Sequence, residues 1–126
     1  MSFRTLMIIK AIVCLGFGPV LLFFPGQFLG LLGMTFCSGA ALTAREYGAA
    51  LVGNLMLTWF ARNAEHSVAR RAIILHLFVY DFIALIATLI IQLTGGLNLL
   101  GWGIVAVYLF FTIGFGCLLI PRKKIA

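Results

Sequence analysis

Four runs of about twenty mostly apolar residues, at roughly 6–24, 41–60, 72–93 and 99–120, take up nearly the whole chain. Each is long enough to cross the ~30 Å hydrocarbon core of a bilayer as a helix. A soluble domain of 126 residues could not cover four such runs, because it needs roughly a quarter of its residues charged. Here 10% are charged, 63% are hydrophobic and the mean hydropathy is +1.18. Soluble enzymes, nucleic-acid-binding modules and disordered tails are excluded on that ground. The residues between the runs are too few to fold as a separate extramembrane domain. The expected fold is therefore all-α: one integral membrane domain over residues 1–126, a four-helix bundle with a short interfacial segment between helices one and two.

The net charge of +6 would suggest nucleic acid only if it lay on one solvated face. Instead the basic residues gather at alternate ends of successive spans. Arg4 and Lys10, then Arg62, Arg70 and Arg71, then Arg122, Lys123 and Lys124 fall on one side, and Arg45 alone falls on the other. Under the positive-inside rule this puts both termini in the cytoplasm, as in a bacterial inner-membrane protein. The implied partners are anionic lipid headgroups on the cytoplasmic side, each contact worth about 1 kcal/mol near the surface, and not nucleic acid.

A signal peptide is rejected at the N-terminus, since Lys10 interrupts the apolar region and no small-residue cleavage site follows between Cys14 and Pro19. Pro19 removes a backbone donor inside the first span and predicts a kink there. Phe24-Pro25-Gly26 ends that helix. The stretch from Pro25 to about Leu42 is apolar but broken by Gly26, Gly30, Gly33 and Gly39, and reads as an interfacial half-helix and a turn. Residues 61–71 form the one clearly hydrophilic connector, residues 94–98 a short turn, and Pro121 ends the fourth span.

Cys14, Cys37 and Cys117 contain no C-x-x-C spacing and fall in different parts of the topology, so they read as free thiols. His66 and His76 are not spaced for a metal site, and no metal is predicted.

An ionisable group within a bilayer is costly, and each one is a candidate for function. Asp81 is foremost, about nine residues or ~14 Å into the third span, too deep for its short side chain to reach the headgroups. Asp81, Ala84, Thr88 and Gln92 form one stripe that predicts an interior face, as interhelical packing contacts or as a working site. Lys10 and His76 lie ~6 Å from the inner boundary and Asn54 ~9 Å. The expected outcome for Lys10 is snorkelling to the cytoplasmic surface, with pairing to Asp81 as the alternative. His76 and Tyr80 share a face about 140° from Asp81, measured at His76, which argues against a His76 to Asp81 relay. Arg45 and Glu46 open the second span. Glu46 is placed in its first turn, and Arg45 needs a partner in Glu46, Asp81, a ligand or a neighbouring subunit. Ala49 with Gly53, and Gly101, Gly103, Gly114 and Gly116, are the candidates for close helix approach, while Phe110, Phe111 and Phe115 read as packing or lipid contacts.

Gly16-Phe17-Gly18, the Pro25-Gly26 connector, and Arg45-Glu46-Tyr47-Gly48 leading through Gly53 to Arg62 resemble the DoxX-like group of small four-helix bacterial membrane proteins. The resemblance covers the first half of the chain, and the Glu46 to Gly48 spacing is one residue wider than that group's pattern. The Tyr80-Asp81 helix and Gly101-Trp102 start are similar to other four-span proteins. The resemblance implies a bundle and, in some members, an accessory subunit of a quinone-linked membrane oxidoreductase.

Two functions follow as expectations. The first is a non-catalytic accessory or assembly subunit of a larger membrane complex, with no cofactor of its own and a quinone or similar lipid-soluble molecule as the ligand class. Its sequence support is the absence of a nucleophile with a base, a phosphate loop or a haem-ligand pair. The second is a small homodimeric proton-coupled transporter in which Asp81 titrates against Lys10 or Arg45. Partnership with another membrane subunit or with a second copy is common to both.

Overall fold

The computed structural model describes residues 1–120 and is all-helical across them. The basic tail Arg122-Lys123-Lys124 and the helix stop at Pro121 lie outside the described residues. Five helices follow in order: α1 (Phe3–Phe23), α2 (Pro25–Leu31), α3 (Ser38–Phe60), α4 (Val68–Leu93) and α5 (Gly101–Leu119). Three of them, α1, α4 and α5, are long and apolar enough to cross a membrane. The 23 residues of α3 would reach about 33 Å, but Arg45, Glu46 and Asn54 interrupt its apolar character, and it falls outside that set.

Local sequence sets most of the boundaries. Ser2 caps α1 by accepting from the Thr5 amide at 3.2 Å, and Ser67 caps α4 by accepting from the Arg70 amide at 3.1 Å. The Ser67 cap starts α4 four residues before the sequence boundary at 72, because a hydrophilic segment can continue a helix past the end of its apolar run. Helix α3 begins at Ser38 rather than 41, with no side-chain cap from Cys37, which corrects the position of Glu46: it lies two turns in, away from the helix N-terminus. Pro25 starts the seven-residue α2, where a missing amide proton costs nothing, and α1 continues through Pro19 to Phe23. Gly33, at φ +78°, turns the chain out of α2.

Helix α1 lies at the centre of the packing. Its first half joins α4 and α5 through Phe3, Leu6, Met7, Ile74, Leu77, Phe111 and Phe115. Its second half joins α3 through Cys14, Leu21, Ala44 and Leu51. Gly18 and Gly48 allow this second contact. A Cβ added to Gly48 would lie 2.7 Å from the Leu22 amide nitrogen and 2.8 Å from the Gly18 carbonyl oxygen, so the two backbones touch there. Ala49 and Gly53, the small-residue pair of the same helix, are exposed and take no part in this contact with α1. In α5, Gly114 packs on Leu6, Gly116 on Phe78 and Gly101 on Gln92, whereas Gly103 faces open space.

Both ends of the molecule are tied by polar contacts. At one end the Arg70 guanidinium lies 4.1 Å from the Phe3 ring centre and donates to the Ala64 carbonyl at 3.1 Å, while Arg62 stacks on Trp59. At the other, the Asn98 side-chain amide donates to the Leu31 carbonyl at 2.7 Å, and the Asn98 backbone amide donates to the Leu32 carbonyl. The turn after α4 is thereby fastened to the end of α2.

Candidate functional site

The central feature is an ion pair between two helices. Lys10 stands seven residues after the start of α1, and Asp81 thirteen residues after the start of α4, about 20 Å along that helix. Lys10 Nζ donates to Asp81 Oδ1 at 2.5 Å, and the two side chains are 3% and 0% exposed. It is the one ion pair among the described residues. Lys10 therefore does not snorkel, contrary to the leading sequence expectation. The apolar residues of α1 on either side of it, Met7, Ala11 and Cys14, are themselves buried, so the interior face carries Lys10 inward with them.

Removing both charges from water costs several kcal/mol each, and attraction in the low-dielectric interior must offset this. Aromatic faces contribute. The Lys10 ammonium lies 4.4 Å from the Phe111 ring centre and 5.3 Å from that of Tyr80. Phe111 and Phe115 are core residues, as their packing role requires, while Phe110 is exposed.

All three tyrosines of the chain converge on this pair, and two of them are not evident as site residues from the sequence. The Tyr47 hydroxyl from α3 and the Tyr108 hydroxyl from α5 hydrogen-bond each other. The Tyr80 hydroxyl, one residue before Asp81, is buried without a hydrogen-bond partner and is an electrostatic neighbour of Tyr47, Tyr108, Asp81 and Cys14. Asp81 Oδ2 is likewise buried and unpartnered. The signal was available: a tyrosine in a membrane span needs a partner for its hydroxyl, and three helices each carry one. A narrow cleft of about 60 Å³ reaches the Lys10 side of the pair, lined by Lys10, Cys14, Phe17, Tyr47, Leu51 and Tyr108 among others.

The remaining candidates, His76 excepted, are placed apart from this centre. Ala84 and Thr88 are half-buried and Gln92 is buried, so the stripe of α4 does face the interior. Gln92 closes the far end of it by donating to the Asn98 carbonyl at 3.2 Å. His76 is exposed, its ring stacked on Tyr80 with the centres 6.4 Å apart, and it is an electrostatic neighbour of Asp81. Asn54 is half-buried, and its carbonyl accepts from Thr58. Arg45 and Glu46 are exposed and form no ion pair with each other or with Asp81. Cys14 is buried while Cys37 and Cys117 are exposed, and all three are free thiols. A larger cleft of about 720 Å³ opens at the end holding Ser2, His66, Arg70 and Arg71, away from the pair.

The groups gathered here can hold, accept or donate a proton. One carboxylate has a free oxygen, one ammonium holds the other oxygen, and three phenolic hydroxyls stand around them. Among the described residues no group of three or more histidine, cysteine, aspartate or glutamate side chains could hold a metal ion. Compared with family models, with curated proteins and with solved structures, the chain matches none.

Proposed function

We propose that this chain is a four-span integral membrane protein, with α3 as its second span, that works as a small proton-coupled carrier. Both termini lie in the cytoplasm on this reading, following the distribution of basic residues along the chain, and the four long helices form one bundle. The observation that carries it is the buried Lys10–Asp81 pair, with one carboxylate oxygen left free.

A proton arriving on Asp81 cancels the charge that holds Lys10, and so uncouples α1 from α4 at that point. Loss of the proton restores the attraction. An element with two such states is what coupling requires, and intramembrane carboxylates mark proton pathways for this reason. The Tyr47, Tyr80 and Tyr108 hydroxyls both donate and accept; none bonds the free oxygen of Asp81 directly, so on this reading water links them to it when a proton passes. The size of the adjoining cleft favours this over a preformed quinone site. About 60 Å³ holds roughly two waters, whereas pockets for drug-sized ligands run to about 300–1,000 Å³.

The test uses the full chain in liposomes containing a pH-sensitive dye, with an imposed potassium-diffusion potential driving proton movement. The parent protein is expected to pass protons faster than empty liposomes, and Asp81→Asn to return the rate to that background. Equal rates for the parent and a folded Asp81→Asn protein would refute the carrier.

The accessory-subunit reading is kept as the second, and one observation favours it: Arg45 and Glu46 are exposed in the middle part of the chain's least apolar long helix, where a neighbouring polypeptide would cover them. On that reading the DoxX-like resemblance and a quinone-linked complex remain the proposal, and extraction of the chain bound to a redox subunit would support it.

A further inference from the structure

We infer that the outer face of α3 is the contact surface for a second copy of this chain, related by a two-fold axis along the membrane normal. The inference rests on the reading of α3 as a membrane span.

Leu42, Arg45, Glu46, Ala49, Gly53 and Met56 are all exposed. At 100° per residue they fall within about 100° of one another, on the side of α3 opposite Ala44, Gly48 and Leu51, which pack on α1. Arg45 is seven residues after Ser38 and Glu46 eight, so they lie roughly 10 and 12 Å along a helix whose length matches the bilayer core. Charges there are left facing lipid unless something covers them. They cannot satisfy each other, since side chains at i and i+1 point about 100° apart, and no ion pair joins them.

A second copy supplies what each lacks. Across a two-fold axis between parallel helices, a residue on one flank of the contact line meets the residue on the other flank of the partner. Arg45 and Glu46 straddle the line through Ala49 at nearly the same height. Arg45 of each copy therefore meets Glu46 of the other, giving two reciprocal pairs, as flanking charges do in parallel coiled coils. Ala49 and Gly53, four residues apart on the contact line, permit the close approach; a Cβ at Gly53 meets nothing within this chain.

The test is disulfide crosslinking of the full chain in its native membrane, with Cys14→Ala, Cys37→Ser and Cys117→Ser as background. Ala49→Cys and Gly53→Cys are expected to give a species of twice the 13.8 kDa chain mass, and Gly103→Cys, exposed on α5, to give none. Adding Arg45→Glu should lower the Ala49→Cys crosslink about tenfold, by placing like charges together, and Arg45→Glu with Glu46→Arg should restore it. Absence of the dimer species, a crosslink to a different polypeptide, or failure of the double exchange to restore it would each overturn the inference. Labelling Ser38→Cys and Glu65→Cys with a membrane-impermeant maleimide separates the two readings. Labels from opposite sides with no dimer refute the interface alone, and labels from one side refute the span as well.

Discussion

Lys10 and Asp81 stand 71 positions apart in the chain and meet at 2.5 Å between α1 and α4, with both side chains withdrawn from solvent. Helix α1 packs chiefly on α3, and α4 chiefly on α5, so this pair is a polar bridge between the two halves of the molecule. Phe3, Leu6 and Met7 of α1 pack against Ile74 and Leu77 of α4 on the same bridge.

Removing one partner leaves the other as an uncompensated buried charge. Asp81→Ala is therefore expected to cost about 3–5 kcal/mol of stability, and Lys10→Met alone a similar amount. The double substitution Lys10→Met with Asp81→Leu should recover most of that loss, because an apolar pair of similar volume needs no desolvation. Thermal unfolding in detergent, followed by tryptophan fluorescence, reads all three. A double variant no more stable than the singles would show that the pair is not coupled.

The tyrosine contact makes a separable prediction. Tyr108→Phe removes one partner of the Tyr47–Tyr108 hydrogen bond and leaves the other hydroxyl half-buried and unpaired, a loss of about 1–2 kcal/mol. Tyr47→Phe should cost about the same, and the two together less than their sum. A double-mutant cycle on the unfolding midpoint measures the difference; simple additivity would mean that the hydroxyls do not interact.

Gly48 tests the packing of α1 on α3. Gly48→Ala places a methyl within 2.7–2.8 Å of α1 backbone atoms, which no side-chain rotation relieves, and is expected to destabilise by about 1–3 kcal/mol. Gly103→Ala meets nothing and should be neutral or stabilising by up to about 1 kcal/mol, through helix propensity alone. Melting curves of the two variants beside the parent decide it, and equal shifts would contradict the close approach.

Much of the architecture was legible along the chain because a bilayer imposes a length scale. Apolar runs of about twenty residues locate α1, α4 and α5, and Phe24-Pro25-Gly26 followed by scattered glycines locates the short α2. The boundary at Val68 was not legible from hydropathy, since Ser67 caps the helix within the hydrophilic connector, ahead of the apolar run. The interior face of α4 was readable from one helix alone, through the period of Asp81, Ala84, Thr88 and Gln92.

Read alone, the sequence pointed to an all-helical chain with four apolar runs, three of which are helices long and apolar enough to cross a membrane, and it singled out Asp81, because depth along one helix is a local property. Which group answers Asp81 is a property of two helices. Lys10 could have reached water along its own helix; its placement depended on the rotation of α1 against α4, which is set by Leu6, Met7, Leu77 and Phe115 packing together. The convergence of Tyr47, Tyr80 and Tyr108, and the choice of Gly48 over Gly53 for the close contact, were likewise decided only in the tertiary structure. Periodicity gives each helix a face, but only the packing of the helices says which faces meet.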